Sequence, residues 1–239
     1  EMMSAARHLR ANFPPIGAAI EQMAMYSIGV GFNMQSLSPN AKWAEQAEEI
    51  IYEWDRIGNM KGPNFFMQET LKLAIKTIIT DGDFNQILTE GADGYPMIQN
   101  IPSHRIGSRL NTGMNIVEGG QYDGMTIING IIQDDTGRAI AARIYSTHYE
   151  STEFVDYSMV NSGSNTADLL LYFRPNNVED SRGLTWLKAI INDALDIADI
   201  RKWLLLVVKG ESSVMLQEHN ETGSPSNAQR EGLLGRADL

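Results

Sequence analysis

The sequence contains no cysteine. That excludes disulfides and thiolate metal sites, and it fits a reducing compartment. Long apolar runs are missing as well. The densest, LLLVV at 204–208, falls far short of the ~18–20 residues that a membrane span requires. No secretory leader pattern opens the chain, which begins Glu-Met-Met inside a helix-like stretch, as a piece of a longer protein would. Positive charge is scarce: 19 Lys and Arg stand against 30 Asp and Glu, a formal net charge of −11. A protein that wraps DNA needs a basic face to displace counterions from phosphates, and this composition argues against one. A wall past which DNA slides is compatible with it, because negative charge repels the backbone and prevents sticking. Nucleotide and nucleophile signatures are also lacking. VVKGESS at 207–213 has a lysine, a glycine and serines without the glycine spacing of a phosphate cradle, and neither G-x-G-x-x-G nor G-x-S-x-G occurs.

What is present is enough apolar material for a core, 43% of 239 residues, in one large domain or two ordinary ones. Residues 3–57 read as helical, split by Pro14-Pro15 and stopped once at Gly29. Ser38-Pro39 has the form of an N-cap with proline at the first helical position. The helix it predicts carries Trp43, Ala47, Ile50, Ile51 and Trp54 on one apolar stripe. A further helix from about Asn64 ends at Asp81-Gly82-Asp83, where the period changes. FNQILT, MIQNI, MTIING, IIQD, AIAARIY and LLLYF then read as strands, with Asp134-Asp135-Thr136-Gly137 as a hairpin turn before Arg138. Helix returns from about Leu184 to Val208 with Leu187, Ile190, Ile191, Ala194, Leu195 and Ala198 on a broad apolar face. The order predicts an α+β fold: N-terminal helices, a central, mostly antiparallel β region, then a long helix. The expected segments are 1–83 helical, 84–173 β-rich, 174–210 loop and long helix, and 211–239 a polar loop or disordered tail.

Few residues offer chemistry. Asp81 and Asp83 could hold a magnesium ion, with His104 as a base and Arg105 as a phosphate clamp. The blander reading is a helix-ending turn whose aspartates accept backbone hydrogen bonds, beside a hydrogen-bonded loop histidine. Histidines at 8, 104, 148 and 219 have no metal-ligand spacing. Strand LLLYF closes on Arg174-Pro175, and Arg182-Gly183 then precedes Trp186. Arg182 could grip a phosphate at a helix N-terminus. Alternatively Gly183 supplies an unusual backbone angle, while Arg182 packs over Trp186 or pairs with Glu179 or Asp180. The cations Lys188, Arg201, Lys202 and Lys209 form no patch, and the twelve methionines read as core filling. From chemistry alone the chain is a building block without a catalytic constellation, and no cofactor is expected.

The order of motifs adds a resemblance. YSIGVGF at 26–32, EIIYEWDRIGN at 49–59 with Trp54, the helix and turn at 64–88 with Asp81-Gly82-Asp83, and IQNIPSHRIG at 98–107 with His104 and Arg105 follow one another. NGIIQDDTGRAIAARI at 129–144 with Gly137 and Arg138 comes next, and then residues 169–200 with Arg174, Arg182, Gly183 and Trp186. In that order, over about residues 5–222, the chain resembles the lambda-like portal proteins of tailed bacteriophages, which are usually longer. The resemblance implies a wing-like body, a stem-like helix from Leu184, and a twelve-subunit ring at one capsid vertex. It implies as partners the terminase large subunit, the major capsid protein, a head–tail adaptor and double-stranded DNA in the channel, with no membrane. It places the protein in the virion, and in the host cytoplasm during assembly. It also implies no catalysis, with Lys188, Arg201, Lys202 and Lys209 as candidates for DNA contact. The rival readings are a metal-dependent nuclease or phosphoesterase built on Asp81, Asp83 and His104, a capsid adaptor without a channel, and, by default, a small-molecule binder.

Overall fold

The computed structural model describes residues 2–32, 34–62, 66–91, 93–107, 114–146, 153–159 and 168–213. The chain divides into two units, Glu1–Ala194 and Leu195–Leu239. The polar segment expected after Gly210 lies, from residue 214 on, outside the described residues.

The first unit opens with α1 (Met2–Asn12) and α2 (Pro14–Ile28), joined by a one-residue break at Phe13 that the following prolines favour. They pack on each other and on α4 (Met67–Asp81), burying Ala6, Leu9, Ile20, Ala24 and Ile79. Glu21 on α2 is paired with Lys76 of α4 and reaches Arg10 of α1 at 3.7 Å, so the same seam carries charge at its rim. Helix α3 (Ala41–Ile57) begins two residues later than the Ser38-Pro39 signal predicts. Asn40 is the cap, its side chain accepting from the Trp43 amide, while the Ser38 hydroxyl accepts from the Asn40 amide. No residue of α3 is buried.

Two antiparallel sheets follow. The first has the order β2–β1–β8, with β1 (Asp83–Glu90) between β2 (Pro96–Ile101) and β8 (Leu169–Phe173). The second is a meander of β3 (Met114–Ile116), β4 (Thr126–Ile128), β5 (Ile131–Gln133), β6 (Ala139–Tyr145) and β7 (Phe154–Ser158). Ile87, Ile101 and Leu169 from the first sheet meet Ile131, Ala142 and Ile144 from the second in one buried cluster. Val117, Tyr122, Ile127, Ile132 and Ala141 form another, on the opposite side of the meander. The β5–β6 turn is built as its sequence predicts. Asp134 accepts from the amides of Thr136 and Arg138, and Gly137 takes φ 81°.

The helix expected from Leu184 is shorter at its start. Residues Trp186–Ala189 form a 3-10 turn, Ile190 breaks it with φ −118° and ψ 0°, and α5 runs from Ile191 to Ser213, continuing past Gly210. The cause is Thr185, whose hydroxyl accepts from the Leu187 amide and donates to the Ile79 carbonyl at the end of α4. A side chain held that way fixes a tight 3-10 turn against α4 before the α-helix can begin. The element order and antiparallel pairing make the chain an α+β protein with a C-terminal helix.

Candidate functional site

Gly82 ends α4 in the left-handed region, φ 104°, and its amide donates to the Ile78 carbonyl. Glycine is needed there twice over. The backbone angle suits it, and a side chain would run into the backbone of Gly183 and Leu184. Gly183 has no left-handed angle, contrary to the reading that gave it an unusual one. Its role is close approach, since a Cβ there would overlap the Gly82 carbonyl oxygen. The Asp-Gly-Asp turn and the Arg-Gly loop, about a hundred residues apart in sequence, therefore lie backbone against backbone.

The residues flanking those glycines lock the crossing. Asp83 opens β1 with 0% side-chain exposure, and Arg182 is 13% exposed. The Arg182 Nε donates to Asp83 Oδ2 at 2.8 Å, and its NH2 lies 2.8 Å from the same oxygen. NH1 donates to the carbonyl of Ile106 at 2.7 Å and, more weakly, to that of Asn129 at 3.4 Å, while NH2 donates to the carbonyl of Ser103 at 2.7 Å. Asp83 Oδ1 accepts from Asn85, and the Ser103 hydroxyl donates to the Asp83 carbonyl. One guanidinium thus ties β1, the 103–106 turn and the β4–β5 turn to the loop after β8. A planar fork of five donors suits that task, and a lysine could not reproduce it. A second glycine pair supports the same place: a side chain on Gly130 would collide with the backbone of Gly107.

Asp81 has its own arginine. Arg7 on α1 donates through Nε to Oδ1 at 2.8 Å and through NH2 to Oδ2 at 2.6 Å. Its NH1 lies 2.9 Å from His104 Nδ1. An arginine only donates, so Nδ1 accepts in that bond and the ring is neutral there. Burial lowers the His104 pKa below 6.5, and the charge of Arg7 lowers it further, against a smaller opposite pull from Asp81.

Asp81, Asp83 and His104 are thus neighbours, as the nuclease reading requires, but each carboxylate is already engaged by a guanidinium. A metal would have to displace Arg7 or Arg182 and leave a cation beside it. No group of three His, Asp or Glu suited to a metal occurs among the described residues. The two aspartates mainly accept from guanidinium groups rather than from the backbone.

The other singled-out residues are placed as follows. Arg174, not Arg182, stands over the Trp186 ring, 5.4 Å from its centroid, and Asp180 accepts from the amides of Asn176 and Asn177. Arg105 Nε donates to the Tyr145 carbonyl. Trp54 Nε1 donates to the Pro96 carbonyl, and the chain after α3 bonds to Ile98 on either side, from the Gly58 carbonyl and the Met60 amide, fixing the end of α3 to the edge of β2. Lys188 is exposed on the 3-10 turn, and Arg201, Lys202 and Lys209 are exposed on α5. Sequence reasoning missed Arg7, Ser103 and Thr185 altogether. A lone arginine and two small hydroxyl residues have no local signature, because their partners are distant in sequence.

The joint is therefore a lock, in which each carboxylate is held by its own guanidinium. Among the described residues, many large apolar side chains are exposed. Tyr26 and Val30 are 86% and 97% exposed, and Phe32, Leu37, Trp43, Ile50 and Tyr52 are also exposed. On α5, every residue from Trp203 to Val208 is between 51% and 67% exposed.

A family model described as phage portal protein, lambda family, matches residues 1–216. No curated protein matches the chain. With the family match spanning most of its 239 residues, the chain belongs to the lambda family of phage portal proteins.

Proposed function

We propose that the chain is one subunit of a closed ring at a capsid vertex, through which double-stranded DNA enters during packaging and leaves on ejection. Its role is structural. The terminase large subunit docks on the ring during packaging, and a head–tail adaptor replaces it. The major capsid protein surrounds it in the virion, after assembly in the host cytoplasm.

The observation that carries this reading is the second unit. A helix apolar on all sides is stable when buried, and residues 203–208 are apolar on all sides yet exposed in a single chain. Family membership supplies the kind of assembly that would bury them. The net charge of −11 fits a channel that does not hold on to its DNA. Lys188, Arg201, Lys202 and Lys209 supply transient phosphate contacts in this reading, so charge reversal at all four lowers packaging, and unchanged packaging contradicts that assignment.

The test is negative-stain electron microscopy with mass photometry on the same sample. Rings of about twelve subunits with a central hole are expected. A closed oligomer without a hole would favour the capsid-adaptor reading instead.

A further inference from the structure

Asn129-Gly130 is the only Asn-Gly pair in the sequence. Asn129 has φ 51°, the one positive φ on a residue other than glycine among the described residues, and Gly130 has φ 85°. The two connect β4 to β5, with Ile128 paired to Ile131 across them. Two residues of positive φ in that place form a type I′ turn, the turn that asparagine followed by glycine favours. The same pair is chemically labile, because glycine has no side chain to shield its amide nitrogen. The Gly130 nitrogen can attack Cγ of Asn129. That nitrogen gives up its proton, the N–Cγ bond forms, the Cγ–Nδ2 bond breaks, and the side-chain amide leaves as ammonia. Water then opens the succinimide to aspartate or isoaspartate. The reaction consumes only water.

The folded turn holds the reacting atoms apart. Ring closure requires the Asn129 Cβ and the Gly130 nitrogen to be nearly eclipsed about the Cα–C bond, and a type I′ turn sets them nearly opposite. The peptide between the two residues must therefore turn over before the reaction can start. Three features oppose that. The peptide lies against Gly107: a Cβ on Gly107 would stand 3.0 Å from the Asn129 carbonyl carbon and oxygen and 3.1 Å from the Gly130 nitrogen, and one on Gly130 would overlap the Gly107 nitrogen. Arg143 of β6 fastens both glycines, its amide donating to the Gly130 carbonyl and its carbonyl accepting from the Gly107 amide. Arg182 closes the arrangement, with NH1 donating to the Ile106 carbonyl at 2.7 Å and to the Asn129 carbonyl at 3.4 Å. Asn129 itself is exposed, so water reaches it and the restraint lies in the backbone.

We infer that Asn129 is a self-modification site gated by the Arg182 joint: it stays asparagine while the joint is closed and is converted to isoaspartate or aspartate in a copy whose joint opens. Local openings occur at lower free energy than global unfolding, so the conversion records them in chains that remain folded elsewhere. The change is one-way. Isoaspartate carries the chain through its side-chain carbon and so lengthens the backbone of a two-residue turn, where turn length sets the register of the hairpin. It also leaves a carboxylate beside the crowded Gly107–Gly130 contact. A converted copy is marked and does not regain the closed joint.

The full chain is incubated at mildly alkaline pH, where the nitrogen attacks fastest, both folded in buffer and unfolded in guanidinium chloride. Peptide mapping by mass spectrometry reads the product at residue 129. Folded wild type should react about a hundredfold more slowly than the unfolded chain, and folded Arg182→Met about tenfold faster than folded wild type. Circular dichroism checks that the variant is folded. Where it is not, Arg182→Lys keeps the charge and loses the fork, and the same acceleration is expected of it. A folded wild type that reacts as fast as the unfolded chain would overturn the inference, since the turn would then give no protection. A folded Arg182 variant that reacts no faster than wild type would overturn the gating by the joint. Wild-type chain carrying isoaspartate at 129, separated from unconverted chain, should unfold at a lower denaturant midpoint. An unchanged midpoint would show that the joint recloses and would overturn the one-way mark.

Discussion

Arg182 turns every guanidinium nitrogen inward, onto one buried carboxylate and three carbonyls from two separate turns. Arg182→Met leaves Asp83 charged, buried and without its cation, a loss of about 3–5 kcal/mol. Chemical denaturation should show this as a large fall in midpoint. Adding Asp83→Asn should recover part of the loss, because the stranded charge is removed; a double variant worse than the single one would contradict the account. The glycines divide by cause. Gly183→Ala forces two backbones apart and costs at least about 2 kcal/mol. Gly137→Ala meets nothing within 4 Å and strains only its backbone angle, φ 81°, so it costs about 1 kcal/mol. The reverse order would show that the Gly82–Gly183 crossing is not tight. His104 gives a pH signature. Its folded pKa lies below the unfolded 6.5 because burial and Arg7 disfavour its charge. The unfolded chain therefore binds the proton first. This contribution is fully present above 6.5 and is lost as pH falls from there through the lowered folded value. His104→Gln should flatten the stability profile in that window, and an equally steep fall in the variant would assign it to other groups.

At the scale of elements, most of the helices and strands were legible in the sequence, and their ends were less so. The 3.6-residue period in α2, α3 and α4 and the alternation in β1, β2 and β6 are local properties that a sequence displays. The end of α4 was legible for the same reason, since Gly82 is a local stop. Helix starts depended on choices between similar groups. Ser38 and Asn40 are both good caps, and the asparagine took the role. Thr185 postponed α5 because its hydroxyl reaches a carbonyl 106 residues away, which no window of sequence reveals. β7 was missed because FVDYS alternates poorly, and its Asp156 is paired bidentately with Arg143 of β6. The stripe on α3 was visible, but which side of it finds a cover was not. The meeting of Asp81-Gly82-Asp83 with Arg182-Gly183 could be read only as two motifs, not as one joint. Thr185→Val removes the cap of the 3-10 turn and the bond to α4, and should cost about 1–2 kcal/mol. Thermal unfolding measures it, and a cost near zero would mean that packing of Leu187 alone sets the turn.

At the scale of the whole molecule, a well-locked first unit coexists with apolar surface that a single copy does not cover. The buried sheet core and the two arginine clamps tie together the helices and both sheets of the first unit. The exposed residues at 203–208, on α3 and at 26–32 are what such a part would present to its neighbours. In the ring proposed for this member of a phage portal family, that surface is where neighbouring subunits would meet. The most direct test is the mass and outline of the purified wild-type chain, by mass photometry and negative-stain electron microscopy together. The account predicts rings of about twelve copies with an open centre. A monomer at every concentration, with the apolar face of α5 still accessible to solvent, would contradict it.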